Sequence, residues 1–296
     1  MKIRKAVIPV AGKGTRFLPA TKQIPKEMIP VINIPMVHYS VMEAVKAGIE
    51  QIIFVTSTGK ESIENYFDRN LELENFLERN GKEKELELVR NIGNLIEVVA
   101  VRQKEQLGLG HAIACAKSAI SEGETFAVIL GDDLVIGDNP ATKQLVEISN
   151  KNNGKSVIGV MEVPQKETDR YGIVDGRFLE NDQKTLKMDR MIEKPRPEDA
   201  PTNFATPGRY VLTSEIFDCL AEIPRGVGGE YQLTDAINLL AGKDDVFAHI
   251  FEGDRFDTGN IEGYLNATVE FALRDIETRE IMERIIKEKV KSFNIK

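Results

Sequence analysis

A glycine-containing segment near the start of the chain carries four cations and no acidic residue. It spans residues 11–26, AGKGTRFLPATKQIPK. Gly12 and Gly14 allow the backbone to approach a ligand closely, with N–H groups that can hold phosphate oxygens. Arg16 can bind phosphate through two hydrogen bonds, and Lys26 can place a point charge at a second phosphoryl group. We therefore predict a phosphate-binding loop, although two glycines alone would also suit a tight strand–helix turn.

Two familiar nucleotide motifs do not fit this loop. A dinucleotide-binding fingerprint needs a third glycine at the position of Phe17, and the chain contains no GxxxxGK[ST] motif. What remains is a GxGTR segment followed by a later Pro-Lys pair. The segregation of positive charge in this segment favours anion binding over a purely structural turn.

Carboxylates follow two other stretches of the chain. Asp132 and Asp133 come directly after a predicted strand at residues 126–130, and Asp257 lies in a turn before Gly259. Mg²⁺ takes hard oxygen ligands, usually one or two carboxylates, with phosphates and water completing an octahedron. Asp133 and Asp257 could instead stabilise turns without any metal, and for Asp133 we favour that alternative.

Polar side chains that suit a base and a sugar also follow predicted strands. Gln103 comes after the strand at residues 96–101, and its amide offers the donor and the acceptor that uracil requires. A lone Gln is equally common on a protein surface. Glu193 can accept hydrogen bonds from sugar hydroxyls, and Lys194 can meet a phosphate, although EKP also fits an exposed charged turn. Pro195 predicts that the strand ends here and that Lys194 is extended.

Hydrophobic periodicity indicates the elements that must position these residues. In the first half, strands are predicted at residues 6–10, 51–56, 96–101 and 126–130, with helices at 35–47, 62–67, 71–90, 111–119 and 141–150. The second half is more mixed, with strands at 156–163, 186–192, 209–212 and 246–251 and helices at 214–221 and 234–241. We predict an α/β fold, a Rossmann-like mixed, mostly parallel sheet flanked by helices. In such sheets the ligand lies beyond the carboxyl ends of the strands.

The chain shows no internal repeat, low-complexity tract or obvious linker. We predict a single domain over residues 1–296, with a catalytic core up to about residue 260 and a charged C-terminal helical tail over residues 261–296. The tail is either a solvated surface helix or an oligomerisation element, and the pattern favours neither.

Composition limits the class of protein. Hydrophobic residues make up 42% and charged residues 29% of the chain, which is typical of a soluble globular protein. The net charge of −8 argues against broad binding of nucleic acid or anionic membranes. The apolar runs are too short to span a bilayer, and the one after the basic start ends at Pro9, so we reject an export signal. Cys115 and Cys219 lack paired spacing, which predicts reduced thiols in a cytoplasmic protein.

Eight motifs, in order, resemble the signature of nucleoside-triphosphate sugar-1-phosphate nucleotidyltransferases. They are GxGTRFLPATK with PKEMIP (12–30), RQKEQLGLGHA (102–112), ILGDD (129–133), RYGIVD (170–175), EKP (193–195), GRYVL (208–212), GEYQLTDAI (229–237) and RFDTGN (255–260). In this form, and with a helical insert at about residues 65–90, the chain is similar to bacterial glucose-1-phosphate uridylyltransferases. It departs from them at Asn33 and Ile34, where the family commonly has Asp-Lys.

The resemblance implies that glucose 1-phosphate attacks the α-phosphorus of UTP in line, giving UDP-glucose and pyrophosphate. Arg16 would hold the departing phosphates, Lys26 the α-phosphoryl group and Lys194 the sugar phosphate. Asp132 and Asp257 would hold Mg²⁺. We also expect a homodimer or homotetramer, and the net charge predicts no nucleic acid or membrane as a partner.

The same resemblance implies the substrate contacts. The nucleotide would be bound by Ala11, Gly12, Gly14, Thr15, Gln103 and Gly108, and the sugar by Gly172, Glu193 and Lys194. No general base is required, because the second pKa of a phosphate monoester is about 6 and the attacking phosphate is already largely ionised. The three histidines, His38, His111 and His249, are therefore not assigned to the chemistry.

Three other functions compete with this hypothesis. A thymidylyltransferase using dTTP has the same fold, but the helical insert and the GLGHA segment disfavour it. A silent regulatory paralogue would lack some of Arg16, Lys26 and Asp132, and all three are present. A nicotinamide-dependent dehydrogenase is disfavoured by Phe17 in the glycine motif.

Overall fold

The computed structural model describes residues 2–293, which form fourteen strands and ten helices. The strands are β1 (Lys5–Pro9), β2 (Pro30–Val31), β3 (Ile34–Pro35), β4 (Gln51–Thr56), β5 (Glu97–Arg102), β6 (Thr125–Ile129), β7 (Asp133–Ile136), β8 (Ser156–Glu162), β9 (Gly172–Leu179), β10 (Asp182–Glu193), β11 (Phe204–Thr206), β12 (Arg209–Thr213), β13 (Val246–Ile250) and β14 (Asp254–Asp257). The helices are α1 (Met36–Lys46), α2 (Glu61–Phe67), α3 (Leu71–Arg79), α4 (Glu83–Gly93), α5 (Leu109–Cys115), α6 (Ala141–Lys151), α7 (Ile216–Glu222), α8 (Leu233–Lys243), α9 (Ile261–Arg274) and α10 (Arg279–Ser292).

Ten strands form one mixed sheet in the order β11-β9-β10-β13-β8-β12-β6-β1-β4-β5. The strands β6, β1, β4 and β5 pair in parallel, as do β8 and β13. The remaining pairs of this sheet are antiparallel, including β9 with β10 and β12 with both β6 and β8. The predicted mixed α/β sheet is confirmed, and the predicted parallel pairing prevails in its N-terminal half only.

The central strands read as continuous apolar runs because both of their faces are covered. Along β1, Val7 packs into the core on one face, while Ala6 and Ile8 pack into the core on the other. All three side chains are fully buried. This is the pattern expected of parallel strands with helices on both sides.

The helix predicted over residues 71–90 is wrong in one respect, because two helices, α3 and α4, occupy this stretch. They are separated at Asn80–Lys82, where Gly81 takes a φ of 66°. Asn80 and a left-handed glycine form a typical helix end. The apolar periodicity resumes after the turn, so it gave no sign of the break.

Short pairs of strands were not predicted. Strands β7 and β14 form a separate antiparallel ribbon in which Asp133 is paired with Asp257. Strands β2 and β3 form a hairpin whose turn contains Ile32, a non-glycine residue with a φ of 62°, and Asn33. Strands of two to four residues are too short to show a periodicity of their own.

The predicted helical tail is present as α9 and α10, and residues 294–296 of that prediction lie outside the described residues. Helix α9 buries only Ala267 and Ala272, and α10 buries none of its residues. Within residues 2–293, no helix is long and apolar enough to cross a bilayer.

Candidate active site

The parallel strands β6, β1, β4 and β5 end at the same edge of the sheet. The segments that follow them carry Asp132, Ala11, Ser57 and Gln103, respectively. At this edge a cleft of about 720 Å³ is lined by several of the predicted site residues, namely Arg16, Asp132, Gly172, Glu193, Lys194 and Asp257. A second cavity of about 310 Å³ is lined by two further predicted site residues, Ala11 and Gly12, and by Lys13.

The phosphate loop consists of short 3₁₀ turns rather than a long helix. Gly14 has a φ of 65°, and a Cβ atom there would lie only 3.1 Å from the Lys26 side chain and 3.2 Å from the Thr21 side chain. The Thr21 hydroxyl also donates a hydrogen bond to the Gly14 carbonyl (2.7 Å). By contrast, a Cβ at Gly12 would meet no atom nearer than Lys26 Cε at 3.7 Å. Gly14 is therefore required by the fold of the loop, whereas Gly12 leaves space above the backbone.

Lys26 and Asp132 form an ion pair between the phosphate loop and the end of β6. Burial opposes the charge of Lys26, but the attraction of Asp132 and Glu27 outweighs it, so the pKa of Lys26 is raised. Burial likewise opposes the charge of Asp132, and Lys26 outweighs it, so the pKa of Asp132 is lowered. Both groups are held in their charged forms.

Asp132 and Asp257 converge on one point of the cleft. A Cβ atom placed on Gly259 would lie 2.9 Å from Asp132 Oδ2 and 3.1 Å from Asp257 Oδ1. The hydroxyl of Thr258 donates to the Asp132 carbonyl (2.8 Å) and holds the two segments together. Two carboxylates around one point, open to the cleft, suit Mg²⁺, which completes its shell with phosphates and water. No group of three or more His, Cys, Asp or Glu residues forms a metal cage in residues 2–293.

Asp133 is placed differently from Asp132. It is buried and forms an ion pair with Arg255, while the Arg209 guanidinium donates to its backbone carbonyl (2.6 Å). Burial raises the pKa of Asp133 to about 6, against the opposing effect of Arg255. This placement agrees with the prediction that Asp133 stabilises the fold and does not bind a metal.

The three predicted sugar-contacting residues lie side by side at the ends of two neighbouring strands: Gly172 begins β9, Glu193 ends β10 and Lys194 follows Glu193. Gly172 pairs with Glu193, and a Cβ atom at Gly172 would clash with Met191. Glu193 Oε2 accepts a hydrogen bond from the Thr234 hydroxyl (2.7 Å), and Glu193 Oε1 lies 3.3 Å from Lys194 Nζ. Glu193 and Lys194 therefore both face the cleft beside Gly172.

The conformation predicted for Lys194 is wrong. Strand β10 does end at Glu193, but Lys194 has a φ of 44° instead of an extended backbone. Its N–H donates to the carbonyl of Tyr171 (3.0 Å). This tertiary hydrogen bond holds Lys194 in a left-handed conformation that the following proline alone would not favour.

Gln103 is buried against the loop that begins α5. Its amide nitrogen donates to the carbonyl of Gly108 (3.2 Å) and lies 3.1 Å from His111 Nδ1. Gly108 has a φ of 93°, and a Cβ atom there would lie 2.7 Å from the Glu230 side chain. The side chain of Gln103 thus orders the loop around Gly108, and its contact with uracil stays a prediction.

Several charged residues around the cleft are not among the predicted site residues. Arg170 Nη2 lies 3.6 Å from Asp257 Oδ2, and Arg255 links Asp133 to the Tyr171 hydroxyl. Buried Arg209 binds Glu43 of α1 and the carbonyl groups after β6. Arg170, Arg255 and Arg209 lie inside the motifs RYGIVD, RFDTGN and GRYVL, respectively, and this position in the sequence could have indicated a role at the site.

Comparisons with known proteins identify the family. A family model described as nucleotidyl transferase matches residues 5–273. The chain is 50% identical to UTP–glucose-1-phosphate uridylyltransferase 2 of Staphylococcus saprophyticus over 286 residues, covering 97% of this chain and 98% of that one. It is also 50% identical to UTP–glucose-1-phosphate uridylyltransferase of Staphylococcus epidermidis over 287 residues, with the same coverage.

Solved structures agree. A UDP-glucose pyrophosphorylase from Acinetobacter baumannii is 43% identical, with a TM-score of 0.88 over 97% of this chain and 99% of that one. A UDP-glucose pyrophosphorylase complexed with UDP-glucose is 39% identical, with a TM-score of 0.84 over 93% of this chain and 100% of that one. The chain belongs to the nucleotidyl transferase family, in the branch of the bacterial UTP–glucose-1-phosphate uridylyltransferases.

Proposed function

We propose that this protein joins UTP and glucose 1-phosphate to give UDP-glucose and pyrophosphate. The observation that carries this proposal is the single cleft lined by Arg16, Asp132, Glu193, Lys194 and Asp257, in a chain half identical to proteins named for that activity. Arg16 and Lys194 supply cations in this cleft, and Lys26 supplies a third through its ion pair with Asp132. Cations for the phosphoryl groups and carboxylates for a divalent ion are the groups that such a transfer needs.

The reaction requires positioning and charge neutralisation rather than a protein nucleophile. A phosphate oxygen of glucose 1-phosphate forms a bond to the α-phosphorus of UTP while the bond to the β-phosphate breaks, and pyrophosphate leaves with that electron pair. Arg16 binds the leaving phosphates, Lys26 the α-phosphoryl group and Lys194 the attacking phosphate. Holding the two anions in line converts a bimolecular encounter into an ordered reaction.

Asp132 and Asp257 would hold Mg²⁺ in this proposal. When bound, the ion reduces the repulsion between the phosphates of the two substrates. Lys26 pairs with Asp132 in the structure. On substrate binding, Lys26 would leave Asp132 to bind the α-phosphoryl group, and Asp132 would then be available to hold Mg²⁺.

The remaining contacts with the nucleotide and the sugar are proposed from the positions of the residues around the two cavities. Ala11, Gly12, Gly14 and Thr15 would meet the nucleotide along the phosphate loop, and Gln103 and Gly108 would meet the base. Gln106 supports this arrangement, because its amide donates to the Ala11 carbonyl (2.6 Å) and joins the two loops. Gly172 and Glu193 would contact the glucose hydroxyls.

We also propose a single catalytic unit that associates with a second copy of itself through the tail. Half of the exposed large apolar side chains in the described chain lie on residues 261–293. On α9, Ile261, Leu265 and Val269 recur every four residues and are 58%, 57% and 39% exposed, forming an apolar stripe. A homodimer or homotetramer would cover this stripe. The free thiols of Cys115 and Cys219 support a cytoplasmic location.

Pyrophosphate release across a matrix of nucleotides and sugar phosphates tests the proposed activity. UTP with glucose 1-phosphate in the presence of Mg²⁺ should give the highest kcat/KM. A preference for dTTP would instead support a thymidylyltransferase. Binding of UDP-glucose without turnover would support a regulatory protein and contradict the proposal.

The metal assignment predicts the behaviour of Asp132→Asn. This substitution removes a charge but keeps the shape, so the fold should be retained while turnover falls by about 10²-fold or more, through loss of a metal ligand. Turnover at saturating Mg²⁺ and the melting temperature should both be measured. Full activity of the variant, or undiminished wild-type activity in EDTA, would contradict the assignment.

A further inference from the structure

Tyr171 lies at the junction between the metal-binding side and the sugar side of the cleft. Arg255 Nη1 donates to its hydroxyl (2.7 Å), and the Arg255 guanidinium lies 5.1 Å from the centre of its ring. Arg255 is also ion-paired with Asp133 and is only 12% exposed. These contacts hold the guanidinium at both Nε and Nη1, and the Tyr171 ring has little freedom to move.

The backbone of Tyr171 in turn determines the position of Lys194. The Tyr171 carbonyl accepts the Lys194 N–H at 3.0 Å, and Lys194 has a φ of 44° directly before a proline. A non-glycine residue persists in such a conformation only when its surroundings impose it. The residue after Tyr171 is Gly172, which pairs with Glu193. Tyr171 thus contacts Lys194 and adjoins Gly172, two of the three predicted sugar-contacting residues.

We propose that Arg255 and Tyr171 are positioning residues that set Lys194 and Gly172 for the sugar phosphate. Arg255 acts from β14, which pairs with β7 and ends at Asp257, so it joins the strand ribbon of the carboxylates to the loop of the sugar subsite. This inference rests on the proposed function, because it assigns the sugar phosphate to Lys194. Neither residue needs to touch a reacting atom.

If Arg255, Tyr171 and Asp133 only stabilised the fold, different results would be expected. Loss of a buried ion pair that only stabilises the fold would lower the melting temperature and affect both substrates alike. A role through Asp257, which lies 3.9 Å from Arg255 Nη2, would raise the Mg²⁺ requirement for both substrates. Positioning of Lys194 predicts instead that the glucose 1-phosphate side alone is impaired.

The test uses Arg255→Met, Arg255→Lys and Tyr171→Phe in the full chain. Arg190→Met is the matched control, because Arg190 forms an exposed ion pair with Asp175 on the same β9–β10 ladder. We expect Arg255→Met to raise the KM for glucose 1-phosphate about tenfold, since a charged contact is displaced, and to leave the KM for UTP within about twofold. Arg255→Lys should rescue this only in part, because an ammonium group cannot form the same planar fork.

Calorimetry provides a readout that does not depend on turnover. The affinity of Arg255→Met for UDP-glucose should fall about tenfold, as one well-placed charged contact is lost, while its affinity for UTP is kept. Tyr171→Phe removes only the hydroxyl, so its affinity for UDP-glucose should fall by a smaller factor, again with its affinity for UTP kept. This variant provides the test if Arg255→Met does not fold. Equal losses for both ligands, unchanged affinities, or a raised Mg²⁺ requirement would overturn the proposal. A wild-type protein without UTP-dependent turnover would contradict the proposed function instead.

Discussion

Opposite charges in the cleft form ion pairs with one another, and these pairs can be exchanged for contacts with substrates. Lys26 is paired with Asp132, and Lys194 lies 3.3 Å from Glu193. Because these pairs are partly exposed to the cleft, exchanging partners costs less than breaking a fully buried pair. A divalent cation and a phosphate can therefore replace the contact between Asp132 and Lys26. The sugar phosphate and the glucose hydroxyls can replace the contact between Lys194 and Glu193.

His249 shows what burial does to a group outside the chemistry. It is 8% exposed and its Nδ1 lies 3.0 Å from the Thr185 hydroxyl. Burial lowers the pKa of His249 below its ordinary value of 6.5. Because the unfolded chain then binds a proton that the folded chain does not, this group makes stability fall as the pH drops from 6.5 through the lowered pKa.

We predict that His249→Gln reduces this acid sensitivity. The free energy of unfolding should be measured by urea denaturation of the wild type and the variant at pH 7.5 and at pH 5.5. The wild type should lose more stability than the variant over this range, by at most about 1.4 kcal/mol per pH unit. An identical pH dependence in the two proteins would show that His249 does not contribute.

At the scale of elements, a buried ion pair between Lys60 and Glu27 connects the phosphate loop to helix α2. Lys60, just before α2, donates to Glu27 Oε2 (2.7 Å), and the two side chains are 8% and 2% exposed. Glu27 is the neighbour of Lys26. Helix α2 and the turn that carries Lys26 are therefore joined by one charged contact.

Lys60→Met should destabilise the protein strongly, because it leaves the Glu27 carboxylate buried without its partner. We expect a loss of about 3–5 kcal/mol in the free energy of unfolding. Lys187→Met is the control, since Lys187 pairs with Asp245 at the surface and should cost about 1 kcal/mol or less. The double variant Lys60→Met with Glu27→Gln should recover part of the loss. Equal effects of Lys60→Met and Lys187→Met would contradict this account.

At the scale of the whole molecule, the tail carries exposed apolar side chains that the single chain leaves uncovered. On α10, Ile281, Ile285 and Val290 are 49%, 41% and 42% exposed, in addition to the stripe on α9. The charges of α10 are mixed in sign along both of its halves and favour no particular pairing. The exposed apolar side chains agree with the proposed twofold interface, in which the same surface is used by both copies.

Leu265→Asp tests the proposed interface. A charge in the middle of the α9 stripe should convert the assembly to monomers, measured as the molar mass by light scattering after size-exclusion chromatography. Asn266→Asp adds the same charge to the next residue, which is exposed and lies outside the stripe, and should leave the assembly intact. A wild-type monomer at micromolar concentration would contradict the proposed association. An assembly that survives Leu265→Asp would place its interface elsewhere.

The local elements and the family could be predicted from the chain alone. The four strands predicted in the first half were placed to within one residue, because apolar runs bounded by glycine and proline are local signals. The edge of the sheet at which the site forms also followed, since parallel strands end on one side. Eight motifs in order then indicated the family, which the comparisons confirm.

Only the tertiary structure decided how the site is held together. The β7–β14 ribbon joins residues more than a hundred positions apart, and its strands are too short to show a pattern. The left-handed backbone of Lys194 depends on Tyr171, and Tyr171 depends on Arg255, 84 residues further along the chain. Local preferences are properties of a few neighbouring residues, whereas such contacts exist only after the chain has closed around them. For this reason Pro195 predicted an extended backbone at Lys194, whereas in the folded protein Lys194 has a positive φ of 44°.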